Sequence, residues 1–180
     1  MTRSPSKLEG THERLSIVEG DVTDPAPVYR AIAGADAVLS VLGPTSNAPT
    51  YTVSKGMGHI IAAMEEHGVR RLIASVGAGV RDPQDEPTLV DRLFAALVRL
   101  FSRHVYEDMA RMAGQVRASN LDWTLVRVPM LTDDPGTGSV RAGYLGGDVG
   151  IRLSREDLAR FMLDQVDQPT YLCQAPVISN

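Results

Sequence analysis

Apolar runs of strand length alternate with connectors of helix length along the 180 residues of this chain. The runs 36–43, 69–77 and 121–128 (DAVLSVLG, VRRLIASVG and LDWTLVRV) are apolar nearly throughout, which is typical of strands buried on both faces. Because the connectors are long enough to hold helices, consecutive strands are expected to run in the same direction. The pattern predicts an α/β fold, a mostly parallel sheet with helices on both faces. Ligands of such sheets bind at the carboxyl ends of the strands.

Capping residues mark the predicted helices. Either Thr23 or Asp24 can cap the first helix, Gly68 follows the second, and Ser154 begins the last with Asp157 as its capping-box partner. These signals and the apolar stripes predict helices at 23–35, 52–68, 105–118 and 154–166.

Three weaker strands are also predicted. The run RLSIVEGD at 14–21 is expected to be a short strand, and SVRAGYL at 139–145 to contain one. The run LCQAPVIS at 172–179 is expected to close the chain as an edge strand, because Pro176 argues against a central position.

Composition excludes several classes of protein. The net charge of −4 gives no electrostatic argument for nucleic acid or an anionic membrane as partner. Cys173 is the only cysteine, so an internal disulfide is impossible, and no apolar run approaches the roughly 20 residues of a membrane span. We expect residues 1–180 to form a single cytoplasmic domain that binds neither membrane nor nucleic acid.

Two strand ends carry residues suited to a nucleotide. Asp21 directly follows a predicted strand, where its carboxylate could accept from an adenine amino group while Val22 covers the ring. A turn aspartate that caps the next helix is an equally good interpretation. Gly43 ends the strand at 36–43, where a glycine lets a backbone approach a ribose or a pyrophosphate closely.

Other short motifs point away from common chemistries. ASVGAGV at 74–80 is neither a P-loop nor a dinucleotide fingerprint, and GMG at 56–58 lies inside a helix, where close packing against the sheet is expected. Tyr51 and Lys55 reproduce the Tyr-x-x-x-Lys dyad of short-chain dehydrogenases. That dyad belongs on a later helix, so we interpret it as coincidence. The four histidines lack metal spacing, and no metal site is expected.

A Leu- and Phe-rich helical stretch is predicted at 89–101. It is apolar on more than one side, so it is expected in the core, with a dimer face or a lid as alternatives.

The motifs taken together resemble a known family. RSPSKL, VEGDVTD, ADAVLSVLG, GMGHIIAAMEEHGVRRLI, LDWTLVRVP and LSREDLARFML occur in the order and spacing of the atypical short-chain dehydrogenase/reductases with NmrA-like folds. Within that group the pattern is most similar to the biliverdin-IXβ reductase/flavin reductase type. The resemblance implies a Rossmann fold that binds NADP(H) rather than NAD(H) and passes hydride to a flavin, a quinone or a similar planar acceptor.

The resemblance also implies site residues. Arg3 and Lys7 would hold the adenosine 2′-phosphate, since two cations suit a phosphate. Asp21 and Val22 would contact adenine. The ribose and pyrophosphate would lie along Val41, Leu42 and Gly43, and the nicotinamide would be bordered by Ser75, Val76, Gly77, Val128, Pro129, Met130 and Leu131.

Two positions depart from the family. Its reductases carry a serine near the nicotinamide where this chain has Gly77, and a histidine where it has Met130. Ser75 is the candidate catalytic residue that could replace the serine. A flavin acceptor could also dispense with a proton donor from the protein.

The family pattern begins upstream of Thr2, with a strand, a Gly-rich turn and a helix, so the fold is expected to lack that unit. The absent strand would be central, which would leave its neighbours with unpaired edges. Three hypotheses follow: a reductase, a non-catalytic NmrA-like module that senses dinucleotide or binds a protein, and a form that dimerises through exposed edges without cofactor.

Overall fold

The computed structural model describes residues 1–8, 12–44, 46–89, 92–93, 95–96 and 101–180. Seven strands occur in this part of the chain: β1 Ala37–Ser40, β2 Arg71–Gly77, β3 Asp122–Val128, β4 Met130–Thr132, β5 Arg141–Gly143, β6 Arg152–Ser154 and β7 Val177–Ser179. The helices are α1 Pro25–Ile32, α2 Thr52–His67, α3 Arg103–Ala118 and α4 Arg155–Asp167, with a short 3-10 turn at Pro5–Lys7.

The main sheet has the strand order β1-β2-β3-β7-β5. Its first four strands are parallel, and only β5 runs antiparallel, to β7. In the register, Leu72 of β2 lies between Val38 of β1 and Trp123 of β3. The predicted mostly parallel sheet is therefore confirmed, and a second sheet pairs β4 with β6, also in parallel.

Alternate residues of β2 contact helices on opposite faces. Leu72, Ala74 and Val76 belong to a core cluster with side chains of α1, α2 and α3, which also holds Trp123. Ile73 belongs to a second cluster with Leu158 and Met162 of α4. Helices thus cover both faces of the sheet, because side chains alternate along a strand.

The helix ends follow the predicted caps. The Asp24 carboxylate accepts the backbone NH of Ala26, so Asp24 rather than Thr23 is the N-cap of α1. Gly68 ends α2 in the left-handed conformation, with φ +70°. Ser154 accepts the backbone NH of Asp157 at the start of α4.

Two predicted strands need correction. The run 14–21 forms a single parallel bridge, between Thr2 and Glu19, because Thr2 is its only neighbouring strand segment in the described chain. The bonds there run from Thr2 N to the Val18 carbonyl and from Gly20 N to the Thr2 carbonyl, each 3.0 Å. The closing strand β7 lies between β3 and β5 rather than at an edge, since it begins only after Pro176.

The β4–β6 sheet was not predicted. Both strands have only three residues, too few to show a period. The predicted stretch at 89–101 lies largely outside the described residues; its described Leu89, Leu93 and Phe101 are exposed, contrary to a core position for those side chains.

Candidate functional site

A cavity of about 590 Å³ lies along the free edge of β1. Its lining includes the polypeptide from Ala37 to Gly43, together with Thr2, Arg3 and the segment 20–23. The cavity therefore gathers the residues predicted for the adenosine side and the ribose path, namely Arg3, Asp21, Val22, Val41, Leu42 and Gly43.

Asp21 folds back onto its own turn. Its Oδ1 accepts the backbone NH of Thr23 at 2.8 Å and the Thr23 hydroxyl at 2.7 Å. First the backbone NH and then the hydroxyl of Thr23 hold the pKa of Asp21 below its ordinary value. Oδ2 lies 3.8 Å from Nη1 of Arg3, and Asp24 rather than Asp21 caps α1. One carboxylate oxygen is thus engaged in the turn, while the other faces Arg3 at the cavity wall.

The other phosphate-side cation lies elsewhere. Lys7 ends the 3-10 turn Pro5–Lys7 and is exposed, outside the cavity lining, whereas Arg3 is part of that lining. The turn carries the chain away from the cavity, so the predicted Arg3–Lys7 pair is not brought together there.

Val22 is held from behind by α2. Its carbonyl oxygen lies 3.0 Å from Nδ1 of His59, and its side chain packs against Gly56. A Cβ on Gly56 would lie 2.5 Å from Cγ2 of Val22, so close packing is found at this glycine. Its partner is the loop at 20–23 and not the sheet, against which the packing was predicted.

Replacing Gly56 with alanine is expected to lower the free energy of unfolding by about 1–2 kcal/mol. Overpacking costs about 1–3 kcal/mol, and the better helix propensity of alanine offsets up to about 1. Gly58→Ala is the matched control, because a Cβ there meets only Nε2 of Gln115, at 3.6 Å. Urea unfolding followed by the fluorescence of Trp123 measures both variants. Equal stabilities would contradict the packing of Val22 on α2.

The residues predicted around the nicotinamide lie at neighbouring strand ends. Gly77 of β2 pairs with Val128 of β3, and the backbone NH of Ala78 donates to the Val128 carbonyl at 2.8 Å. Met130 and Leu131 open β4, where Met130 is more than half exposed. Because β1, β2 and β3 are parallel neighbours, these ends lie on the same sheet edge as Val41–Gly43.

The Ser75 side chain faces a defined side of the sheet. Leu72, Ala74 and Val76 pack against α2 and α3, so by alternation Ser75 and Gly77 face the side of Ile73 and α4. A Cβ on Gly77 would meet no atom within 4 Å, which leaves room in front of that strand end.

The Tyr51–Lys55 motif has a structural explanation. Tyr51 adopts φ +51° just before α2, and its hydroxyl donates to Glu107 at 3.4 Å. Its ring lies 4.4 Å below the guanidinium carbon of Arg111. The α2 N-terminus is capped by the buried carboxylate of Asp108, which accepts from Val53 N and Ser54 N. These contacts favour coincidence over a catalytic dyad.

The buried ion pair between Arg127 and Asp85 was not predicted from the sequence. Arg127 of β3 is 0% exposed and binds both oxygens of Asp85 at 2.7 Å. Burial acts to raise the pKa of Asp85, but hydrogen bonds from Arg127 and from backbone NH groups outweigh it, and the pKa lies below its ordinary value. An arginine inside the apolar run LVRV was the available signal.

Among the described residues, no three His, Cys, Asp or Glu side chains are grouped so that they could hold a metal ion. The helices in the same part of the chain are too short or too polar to cross a membrane.

Curated proteins that are similar to this chain in sequence include a reductase and an oxidoreductase. Cinnamoyl-CoA reductase 1 of Oryza sativa subsp. japonica is 36% identical over 88 residues, which are 47% of this chain and 26% of that protein. Oxidoreductase AgnL4 of Paecilomyces divaricatus is 27% identical over 94% of this chain and 66% of its own length. The chain spans about a quarter of the length of the curated reductases that it matches first.

A solved structure shares the fold. A short-chain dehydrogenase/reductase from Veillonella parvula DSM 2008, in complex with NADP, superposes with a TM-score of 0.76 at 18% identity, over 94% of this chain and 74% of that one. The sequence profile described as NAD(P)H-binding matches residues 1–169. The chain therefore belongs to this NAD(P)H-binding family and has its Rossmann-like α/β fold, as the resemblance implied.

Proposed function

We propose that the chain acts as an NADPH-dependent reductase that passes hydride to a flavin, a quinone or a similar planar acceptor. The observation that carries the proposal is the cavity beside β1, where Arg3, Asp21 and Val41–Gly43 converge next to the ends of β2 and β3. A dinucleotide that runs along this edge would extend from Arg3 toward Gly77 and Val128.

The donor groups at the cavity suit an adenosine phosphate. Arg3 is exposed at the wall, and its planar fork can bind two oxygens of a 2′-phosphate, which favours NADP(H) over NAD(H). The Asp21 oxygen that faces Arg3 would accept from the adenine amino group, while Thr23 keeps the carboxylate ionised and oriented. Val22, held by Gly56 and His59, would support one face of the ring.

At the nicotinamide end of the site, the protein would mainly orient the cofactor and would not itself supply the hydride. A bound dihydronicotinamide supplies the hydride. Gly77 would leave room for the ring, and Val128 and Met130 would border it. Ser75, on the same side of β2 as Gly77, would donate a proton where the acceptor requires one.

The test is a titration followed by turnover. NADPH is added to the purified chain and binding is measured by thermal shift and by nicotinamide fluorescence. NADPH oxidation is then measured with FMN and with a quinone. A folded protein that binds neither NADPH nor NADH would contradict the proposal, and so would binding without oxidation by any of these acceptors.

Arg3→Ala is expected to weaken NADPH binding about 10- to 100-fold while leaving NADH nearly unchanged. A charge-assisted hydrogen bond contributes about 1.5–3 kcal/mol, and every 1.4 kcal/mol is tenfold in affinity. Lys7→Ala is the matched control, since Lys7 lies outside the cavity lining. Equal weakening of both dinucleotides by Arg3→Ala would remove its role at the 2′-phosphate.

A second candidate is a non-catalytic module that senses dinucleotide or binds a protein. Gly77 and Met130 favour it, because the biliverdin-IXβ reductase/flavin reductase type that the sequence resembles carries a serine and a histidine at these positions. NADPH binding at normal affinity without oxidation by FMN or quinone would support this second function instead.

A further inference from the structure

The small sheet of β4 and β6 has one face in the core and the other open to solvent where the two strands begin. Leu131 pairs with Leu153, and both pack in the cluster under α4. One residue earlier Met130 pairs with Arg152, so these side chains lie next to each other on the opposite face, because side chains alternate along a strand. Met130 is 53% exposed, Arg152 is exposed, and Ile151, directly before β6, is 78% exposed. A cation thus lies beside exposed apolar side chains.

The charge of Arg152 is not used within the described part of the chain. Its guanidinium makes neither an ion pair nor a hydrogen bond with the residues described there. The arginines of neighbouring segments are each paired with an acid: Arg141 with Asp148, Arg155 with Asp133 and Arg160 with Glu156. The whole chain carries a net charge of −4, so a preference for an anionic ligand has to come from a local cation such as Arg152.

This cation lies at the nicotinamide end of the proposed cofactor site. Met130 begins β4 two residues after the end of β3. Arg3 and Val41–Gly43, which we propose for the phosphates of the dinucleotide, lie at β1, with β2 between β1 and β3. Two strand spacings, about 10 Å, therefore separate the phosphate side from Arg152. An anion held by Arg152 would belong to the molecule that receives the hydride.

We propose that Arg152 selects acceptors that carry an anionic group, such as a phosphate, a sulfonate or a carboxylate, at the rim of a planar apolar ring. This inference rests on the proposed function and narrows its flavin and quinone acceptors to their charged members. Met130 and Ile151 would contact the ring, since a thioether packs well against an aromatic system. The planar fork of Arg152 would donate to the anion. A neutral acceptor would gain the apolar contact alone and bind more weakly.

A pair of flavins that differ only in charge tests the proposal. FMN and riboflavin share the isoalloxazine ring, and only FMN carries a phosphate. Their affinities are measured by quenching of flavin fluorescence, with and without NADP⁺, which has no hydride to transfer. FMN is expected to bind at least about tenfold more tightly than riboflavin, and Arg152→Ala should remove most of this difference by weakening FMN alone. If neither flavin binds, naphthoquinone sulfonate and naphthoquinone are compared in the same way through the fluorescence of Trp123.

Two variants serve as controls for the role of Arg152. Arg160→Ala removes an equally exposed cation and changes the net charge by the same amount, so it should leave the preference for FMN intact. Arg3→Ala identifies a phosphate that occupies the cofactor site instead. Equal binding of FMN and riboflavin by the unmodified chain, a preference that survives in Arg152→Ala, or one that is lost only in Arg3→Ala would overturn the proposal. Thermal unfolding shows that each variant is folded.

The outcomes separate this inference from the proposed function. Charged and neutral acceptors that bind equally and are both reduced by NADPH would remove the role of Arg152 and leave the reductase. FMN bound through Arg152 without any NADPH oxidation would support the anion site and contradict the reductase. A folded chain that binds none of the four acceptors would overturn both.

Discussion

Replacing Arg127 with alanine is expected to lower the free energy of unfolding by about 3–5 kcal/mol, a large fraction of the stability of a typical domain. The guanidinium is fully buried, and its Nη1 and Nη2 each lie 2.7 Å from an oxygen of Asp85. Its Nε donates to the Ala175 carbonyl and its Nη1 also donates to the Val80 carbonyl. Truncation would leave a buried carboxylate and these carbonyl oxygens without partners.

The destabilisation caused by Arg127→Ala is expected to affect three segments of the chain, because the ion pair joins them. Asp85 lies in the loop after β2, where its oxygens also accept the backbone NH groups of Asp82 and Leu145. Arg127 connects that loop to β3 and to the residues just before β7. The loop begins directly after Gly77, so the same variant should also loosen the strand end that we propose beside the nicotinamide.

A surface pair provides the matched control. Arg70 and Asp122 have the same two-pronged geometry, at 3.0 and 3.1 Å, but their side chains are 64% and 41% exposed. Arg70→Ala should cost less than about 1 kcal/mol, because water solvates both partners. A loss for Arg127→Ala that is no larger than the loss for Arg70→Ala would show that burial does not set the contribution of the pair. Urea unfolding of both variants, and of Asp85→Ala, decides this.

The main sheet could be predicted because its central strands are unbroken apolar runs. The observed β1, β2 and β3 lie inside the runs 36–43, 69–77 and 121–128. Such strands are buried on both faces and need no partner-specific signal. The helix ends could also be predicted from the sequence, since a cap depends on residues within one turn.

The remaining features depend on partners that are distant in sequence. β7 was predicted at an edge from Pro176 alone, but the proline lies just before the strand and costs no ladder bond within it. β4 and β6 are too short to show a period. The Arg127–Asp85 pair joins positions 42 residues apart, so only the oddity of an arginine in a buried strand could have indicated it.

The candidate site could also be predicted only in part. Asp21, Val22 and Val41–Gly43 converge because parallel strands bring their carboxyl ends to one edge, a rule that needs only topology. Lys7 does not join Arg3 at the cavity, because the 3-10 turn between them depends on local backbone geometry that spacing does not reveal.

Asp157→Ala is expected to lower the free energy of unfolding by about 3–4 kcal/mol. The buried carboxylate accepts the backbone NH groups of Thr137 and Gly138, the Ser154 hydroxyl and the side-chain amide of Asn180. A buried donor left without a partner costs about 1–3 kcal/mol, and alanine would leave several. The affected loop follows β4, so the variant should also disturb the wall that holds Met130 and Leu131.

The same carboxylate makes stability depend on pH. Burial acts to raise the pKa of Asp157, but the NH groups of Thr137 and Gly138, with Asn180 and Ser154, outweigh it and lower the pKa to about 2 from 3.8. A lowered folded-state pKa stabilises the protein above the unfolded value, and that contribution is lost as the pH falls from about 4 through about 2. Asp157→Asn should flatten this part of the stability curve, whereas Asp164→Asn, at an exposed position of α4, should leave it unchanged. Urea midpoints measured between pH 5 and pH 2 give the comparison, and an unchanged acid slope in Asp157→Asn would show that other carboxylates set the acid limit of this fold.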